Sequence, residues 1–464
     1  MKAVILAAGQ GKRMKSKLAK VLHCVLDKPM LTHIIMALNN IEIGKSFVIV
    51  GHNKEQIENY LEFNCLNSLF EPITQDPPLG SGHALMQVTP QLIDYNGDLL
   101  VLNGDMPLIQ PKTLVNLIAT HKNNNSDLTI LTANVSNPYG FGRIVRDANN
   151  NIKAIVEEKD ANPPEKIINE INVGIYCFNW ASIKNGLNNL QPNNVQGEYY
   201  LTDLIKWANL NHLKISAFTM TDFKEACGVN SRADLSLANR YLSDINIAKL
   251  QDEGVTIIDP ASTWIGSNVK IGIDTIISPN TILFDNISIG ENCLIGPNTS
   301  INGTVNIGNN CEIKASFLNN CNIGNDCKVG PFANIRFNTN LESHVKVGNF
   351  VEVKASSISD HTNVSHLSYI GDTQIGQNSN VGAGTITANY NHLTKEKFKT
   401  IIGSNVAIGS NCVLVAPVKV GDSTLLAAGS VITKEVPDGA LAVARQRQAN
   451  KLDYVKVKSE ILES

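Results

Sequence analysis

No stretch of this 464-residue sequence approaches the roughly 18 consecutive apolar positions of a membrane span. No membrane partner is expected. Charge is sparse and nearly balanced, with 17% charged residues and a formal net charge of -3, which removes any general case for wrapping nucleic acid. The nine cysteines form no C-x-x-C pair, which argues against a zinc ribbon or a redox motif, and their odd number suits no disulfide framework. The first apolar run, Ala3 to Ala8, is shorter than a secretory h-region and ends in Gly-Gln-Gly-Lys-Arg rather than a cleavage context. It reads as a buried strand of a soluble, cytoplasmic protein.

What is present divides into two patterns, and the length favours two or three domains. Up to about residue 225, short β-rich runs (AVILA, SFVIV, GDLLVLNGD) alternate with helical periods (PMLTHIIMAL, KEQIENYLEF, PKTLVNLIATH). This spacing predicts βαβ units in a mixed, mainly parallel, Rossmann-like sheet. SRADLSLANRYLSDINIAKLQDEGV reads as one connecting helix, with Ser231 and Asp234 spaced as a capping box, apolar residues at 235, 238, 242 and 245, and Gly254 as its end. After residue 260, apolar residues recur every six positions from Ile265 to Ile313, from Ile323 to Val353 and from Ile402 to Ile432. That is the hexapeptide repeat of a parallel β-helix, three hexads to a coil. Cys293, Cys311, Cys327 and Cys412 each follow a repeat position by four, where a small apolar side chain fits a tight corner. The repeats look interrupted at SDHTNVSHLSYIGD and at ANYNHLTKEKFKT, and insertions in a solenoid often build its binding face. The expected domains are 1–229, a linker helix 230–254, and a β-helix 255–464 with its C-terminal tail.

The chemistry-bearing residues begin at Ala7-Ala8-Gly9-Gln10-Gly11, small enough for a polyphosphate to approach backbone N–H groups. Lys12, Arg13, Lys15, Lys17 and Lys20 follow. The pattern fits neither G-x-G-x-x-G nor G-x-x-x-x-G-K-[ST], so a tight turn beside a solvated basic face is an equal reading of the glycines. Asp105, after a buried strand, could hold Mg²⁺ or merely serve a turn. Asn230 could cap the linker helix. His366, alone on a coil, reads more readily as a solvated surface residue than as a general base.

LAAG-x-G-x-R-M-x-S, K-V-L-H, Q-x-x-x-x-G-[ST]-G-H-A, G-D-x-P-L, G-R-I, E-I-N-x-G-I and Q-G-E-Y-Y-x-T-D resemble a sugar-1-phosphate nucleotidyltransferase. Joined to the hexapeptide repeats, they resemble the bifunctional N-acetylglucosamine-1-phosphate uridylyltransferase / glucosamine-1-phosphate N-acetyltransferase family over nearly the whole chain. The resemblance implies an α/β nucleotidyltransferase domain and a left-handed β-helix. It implies acetylation of glucosamine 1-phosphate by acetyl-CoA, then coupling of N-acetylglucosamine 1-phosphate to UTP, giving UDP-N-acetylglucosamine for cell-wall polymers. Leu6, Ala7, Ala8, Gly9 and Lys20 are implied to contact the UTP or UDP part, with Arg13 on the phosphates. Gln75, Gly80 and Ser81 would read uracil, and Asn103, Gly104 and Asp105 would border nucleotide and metal. Asp105 and Asn230 are the implied Mg²⁺ ligands, and Gly142, Glu157 and Asn172 would hold the amino sugar. On the β-helix His366 is the implied general base, and Arg336, Lys354, Tyr369 and Asn380 would bind the sugar phosphate. Ala383, Asn389, Tyr390, Ser410, Ala428 and Arg445 would line the acetyl-CoA groove. A homotrimer with acetyl-CoA sites shared between β-helices is also implied. Two departures stand out: Ala19 occupies the place of a usual Pro before Lys20, and the Pro-Gly usual after Arg336 is missing.

Two other readings stay open. One is a sugar-nucleotide pyrophosphorylase whose β-helix only regulates or oligomerises. The other is a non-catalytic scaffold, against which the joint presence of Asp105, Arg13 and Lys20 speaks.

Overall fold

The computed structural model describes residues 1–66 and 68–455, so the expected tail lies, from residue 456, outside the described residues. The chain forms two compact units, Met1–Leu242 and one beginning at Ser243. No helix among the described residues is long and apolar enough to cross a membrane.

The first unit is built from β1 (Lys2–Leu6), a hairpin of β2 (Cys24–Val25) and β3 (Lys28–Pro29), β4 (Ser46–Val50), β5 (Phe70–Thr74), β6 (Asp98–Asn103), β7 (Leu128–Asn134), β8 (Gly142–Arg146), β9 (Ile152–Val156), β10 (Glu170–Asn179) and β11 (Ile215–Thr219). The main sheet runs β11-β7-β10-β6-β1-β4-β5, with β8 and β9 branching from β10. β1 pairs in parallel with β4 and β6, and β4 with β5, whereas β10 runs antiparallel to both β6 and β7. The sheet is mixed and mainly parallel, as expected. Ala3 and Ile5 join one apolar cluster and Val4 joins another, because β1 is covered on both faces. Leu6 pairs with Asn103, so the loops after β1 and β6 leave the same carboxyl edge. Ligands bind at such edges in open α/β sheets.

The connecting helix spans Arg232–Asp252. Its capping box forms: Ser231 N–H donates to Asp234 Oδ2 at 2.8 Å, and Asp234 N–H to Ser231 Oγ at 3.2 Å. Ser231 is therefore the cap, not Asn230. The buried stripe runs through Ala238 and Leu242 to Ile247 and Leu250, with the expected Leu235 and Ile245 only half-buried beside it. Gly254, at φ +93, ends the helix, and Val255 N–H returns to Leu250 O at 3.0 Å.

Among the described residues the second unit stacks triangular coils into three parallel sheets of 11, 10 and 9 strands, each strand pairing with the one three places on until the last step of the 11-stranded sheet, where Leu425–Leu426 pairs with Leu441–Ala442. The six-residue positions are buried from Ile265 to Ile432. The register slips because some corners span five residues: Ile313 to Leu318 to Ile323, Val353 to Ile358, and Ile370 to Ile375. Single left-handed residues turn them, Ala315 at φ 41, Asn320 at φ 48, Ala355 at φ 47 and Asp372 at φ 52. SDHTNVSHLSYIGD is consequently no interruption. Val364 and Ile370 are buried inside it, and Asn363–His366 and Tyr369–Gly371 are ordinary coil strands. ANYNHLTKEKFKT is a true insertion, since Val381 pairs with Ile408 across it.

The corner cysteines also do more than fill space. The Cys293, Cys311 and Cys327 thiols donate to carbonyls one coil on, Gly308, Gly324 and Glu342, at 3.1, 3.0 and 3.0 Å. Thr275 and Thr362 do the same to Gly290 and Gly376 at 2.8 Å. Cysteine stands in for threonine there as a weaker donor.

Candidate active sites

In the first unit, Leu6 to Gly9, Arg13, Lys20, Gln75, Gly80, Ser81, Asn103, Asp105 and Asn230 all line one cavity of about 640 Å³. Lys12 lines it as well, whereas Lys15 and Lys17 do not, so the basic run divides between the site and solvent. Gly11 turns the loop at φ +60, and a Cβ there would lie 3.0 Å from the Lys20 Cβ. Gly104 lies beneath the loop: a Cβ would come within 3.0 Å of Leu6 O and the Val21 methyl. Its smallness lets the two loops pack.

A second cavity of about 530 Å³ contains Gly142, Glu157 and Asn172 and shares Leu6, Arg13, Ser81, Asn103, Asp105 and Asn230 with the first. At this junction the Lys20 ammonium lies 2.5 Å from Asp105 Oδ2 and 2.7 Å from Asn230 Oδ1. Asp105 O accepts Val229 N–H at 2.8 Å, which brings the segment before the linker helix to the end of β6. Two oxygens thus converge on one cation. A carboxylate and an amide oxygen suit a hard divalent ion that completes its shell with phosphate and water oxygens. Among the described residues no group of three or more His, Cys, Asp or Glu could hold a metal.

Gln75 is buried and donates to Gly80 O at 3.0 Å. Gly80 has φ +107, and a Cβ would stand 2.7 Å from Tyr199 O, so the 196–200 segment closes on this loop. On the sugar side, a bulge between Asn172 and Tyr176 re-aims β10. Asn172 accepts Gly174 N–H at 3.1 Å and donates to the Tyr176 hydroxyl at 2.8 Å. Burial raises the Glu157 carboxyl above the usual range, opposed by the Thr202 hydroxyl. Buried Arg143 pairs with Glu158 at 2.6 Å and donates to Phe141 O, fixing the loop before Gly142.

In the second unit His366 ends a strand, and its Nδ1 lies 2.8 Å from Asn349 Oδ1, its partner in the adjacent coil. With that oxygen accepting from Nδ1–H, Nε2 carries the lone pair. Arg336 pairs with Glu352 at 2.6 Å. Lys354 is 7% exposed, and the neighbouring Lys397, then burial, hold its ammonium below the ordinary lysine value, with Arg336 adding to this and Asp372 opposing it. Asn389 donates to Asp372 at 2.5 Å. A Cβ on Gly371 would lie 2.5 Å from the Tyr369 hydroxyl and 2.8 Å from the Asn389 amide, so these meet over a glycine. Asn380 is exposed on the strand paired with Asn363–His366.

Gly384 N–H reaches His366 O at 3.4 Å, Asn411 N–H donates to Ala383 O at 2.7 Å and Gly429 N–H to Ser410 O at 2.8 Å. Ala383, Ser410 and Ala428 therefore follow His366 up one corner, with the Arg445 Cδ placed 3.6 Å from a Cβ on Gly429. Tyr390 is half exposed at the base of the insertion, bridged to Lys397. The sequence reading omitted Lys397, Asp372, Glu352 and Asn349. The 17-residue coil step would have found Asn349 from His366, but nothing in KEKFKT singles out Lys397 among three lysines.

Residues 2–237 match the nucleotidyl transferase family model, and 286–316 and 399–434 match the bacterial transferase hexapeptide (six repeats) model. The stacked coils are a left-handed β-helix of this kind. The chain is 46% identical to the bifunctional protein GlmU of Staphylococcus epidermidis, over 98% of this chain and 99% of that one. It is 44% identical to the GlmU of Acetivibrio thermocellus over 98% and 96%, and 42% identical to that of Desulfitobacterium hafniense over 99% of each. The chain belongs to the bifunctional GlmU family.

Proposed function

We infer that this chain makes UDP-N-acetylglucosamine by two transfers in two sites. It acetylates glucosamine 1-phosphate with acetyl-CoA, then transfers the uridylyl group of UTP to N-acetylglucosamine 1-phosphate with release of pyrophosphate. The observation that carries the reading is the junction where the two cavities share Asp105 and Asn230, with the Lys20 ammonium of the first cavity against both. The alternative of a purely regulatory or oligomerising β-helix is not favoured by bifunctional relatives matched end to end.

The proposed boundaries remain 1–229, 230–254 and 255–464. The proposed nucleotide residues are Leu6 to Gly9, Arg13, Lys20, Gln75, Gly80, Ser81, Asn103, Gly104 and Asp105, with Gly142, Glu157 and Asn172 on the sugar. Asp105 and Asn230 would hold Mg²⁺, which when bound would neutralise phosphate charge. Arg13 and Lys20 add fixed positive charge as the sugar phosphate oxygen attacks the α-phosphorus, and no protein nucleophile is required. On the β-helix Arg336, Lys354, Tyr369, Asn380 and the added Lys397 bind the sugar phosphate. His366 Nε2 takes the amine proton as nitrogen attacks the thioester along Ala383, Asn389, Tyr390, Ser410, Ala428 and Arg445. No acyl-enzyme is needed.

A cytoplasmic homotrimer built through the β-helices belongs to the same proposal. Phe332, Phe350 and Leu367 support it, as bulky side chains held exposed at φ 60, 59 and 44, where L-residues are disfavoured. The test is a paired assay of purified protein. Thiol release should require glucosamine 1-phosphate, and pyrophosphate release should require UTP and the acetylated sugar. A β-helix that only assembles would release no thiol.

A further inference from the structure

Lys20 touches both oxygens at the cavity junction, yet the chain leading to it, Lys17 to Ala19, belongs to no helix or strand. Something else must fix its position. The helix Lys54–Phe63 supplies that hold through Gln56. Gln56 Oε1 accepts Ala19 N–H at 2.8 Å, and Gln56 Nε2 donates to Lys17 O at 3.0 Å. One amide thus closes on the chain from two sides, as a neighbouring strand would. Asn53 Nδ2 adds a longer contact to Lys17 O at 3.3 Å. Ala19 O in turn accepts Leu22 N–H at 2.9 Å, closing the short turn that begins at Lys20.

We propose that Gln56 is a positioning residue for uridylyl transfer, clamping the backbone at Ala19 so that the Lys20 ammonium is held at the cavity junction, beside Asp105 and Asn230. This rests on the uridylyl reading of the first cavity. Ala19 sits at φ -55, ψ 135, which proline can adopt. A proline there would fix φ without an acceptor for its missing N–H. Clamp and ring are two routes to one constraint.

The test measures pyrophosphate release by the full chain with Mg²⁺, UTP and N-acetylglucosamine 1-phosphate, using thiol release as the internal control. Gln56→Ala should lower kcat/KM for pyrophosphate release roughly 10- to 100-fold, the scale of a misplaced catalytic group, and leave thiol release unchanged. Ala19→Pro in that background should recover most of the loss. Gln56→Glu, which keeps the acceptor and loses the donor, should fall between. In a Lys20→Ala background Gln56→Ala should add little, because both act through one group. Wild-type rates in Gln56→Ala, no recovery with proline, or full additivity with Lys20→Ala would each overturn the proposal. A wild-type chain releasing no pyrophosphate would instead overturn the reading beneath it.

Discussion

Gly174→Ala should displace Asn103 and slow uridylyl transfer. Gly174 occupies the β10 bulge at φ +84, and an added Cβ would lie 2.4 Å from Asn103 Nδ2. Contacts become ordinary at 3.4 Å, so the Asn103 amide would have to retreat by about 1 Å. Asn103 lines both cavities, and a shift of that size at a positioning group costs on the order of 100-fold in rate. The left-handed backbone adds about 1–2 kcal/mol of destabilisation. Gly197→Ala separates the two effects, since Gly197 has φ +66 with nothing within 4 Å of its Cβ position. Both variants should lose comparable stability in thermal unfolding. Only Gly174→Ala should lose pyrophosphate release, with thiol release intact. Equal activity in the two would show that the Asn103 position is irrelevant and refute the reasoning.

Glu157 yields a pH prediction. Its carboxyl is raised by burial above the unfolded value, so stability should fall as pH rises from the unfolded carboxylate range through the folded value. Glu157→Gln should flatten that part of a plot of unfolding midpoint against pH while weakening sugar binding. Asn349→Leu removes the oxygen that holds His366 Nδ1–H and should lower thiol release with pyrophosphate release intact; unchanged thiol release would remove Asn349 from the site. Lys397→Ala should raise the KM for glucosamine 1-phosphate roughly 10- to 100-fold, the scale of a charge-assisted hydrogen bond, and leave pyrophosphate release alone. Phe332→Glu should shift sedimentation from the proposed trimer to smaller species; an unchanged trimer would exclude Phe332 from the interface.

Much of this was legible because periodicity reports burial. Six-residue spacing placed Ile265 to Ile313 in the core, and the runs AVILA and SFVIV placed the central strands. The five-residue corners were not legible, because Ala315 and Ala355 carry no sign of left-handed backbone. That is why the stretch around His366 read as an insertion. Local pattern likewise allowed Asn230 to be a cap, and only the choice of Ser231 by the folded helix freed its side chain for Lys20. Long-range pairings such as Gln56 with Ala19 or Asn349 with His366 leave no trace in spacing until the register is known.

The two transfers are proposed to use separate groups on separate units. Purified His366→Ala and Asp105→Ala, each assayed for thiol and pyrophosphate release with unfolding midpoints checked, test it directly. His366→Ala should lose thiol release alone and Asp105→Ala pyrophosphate release alone; a folded variant losing both would contradict the account.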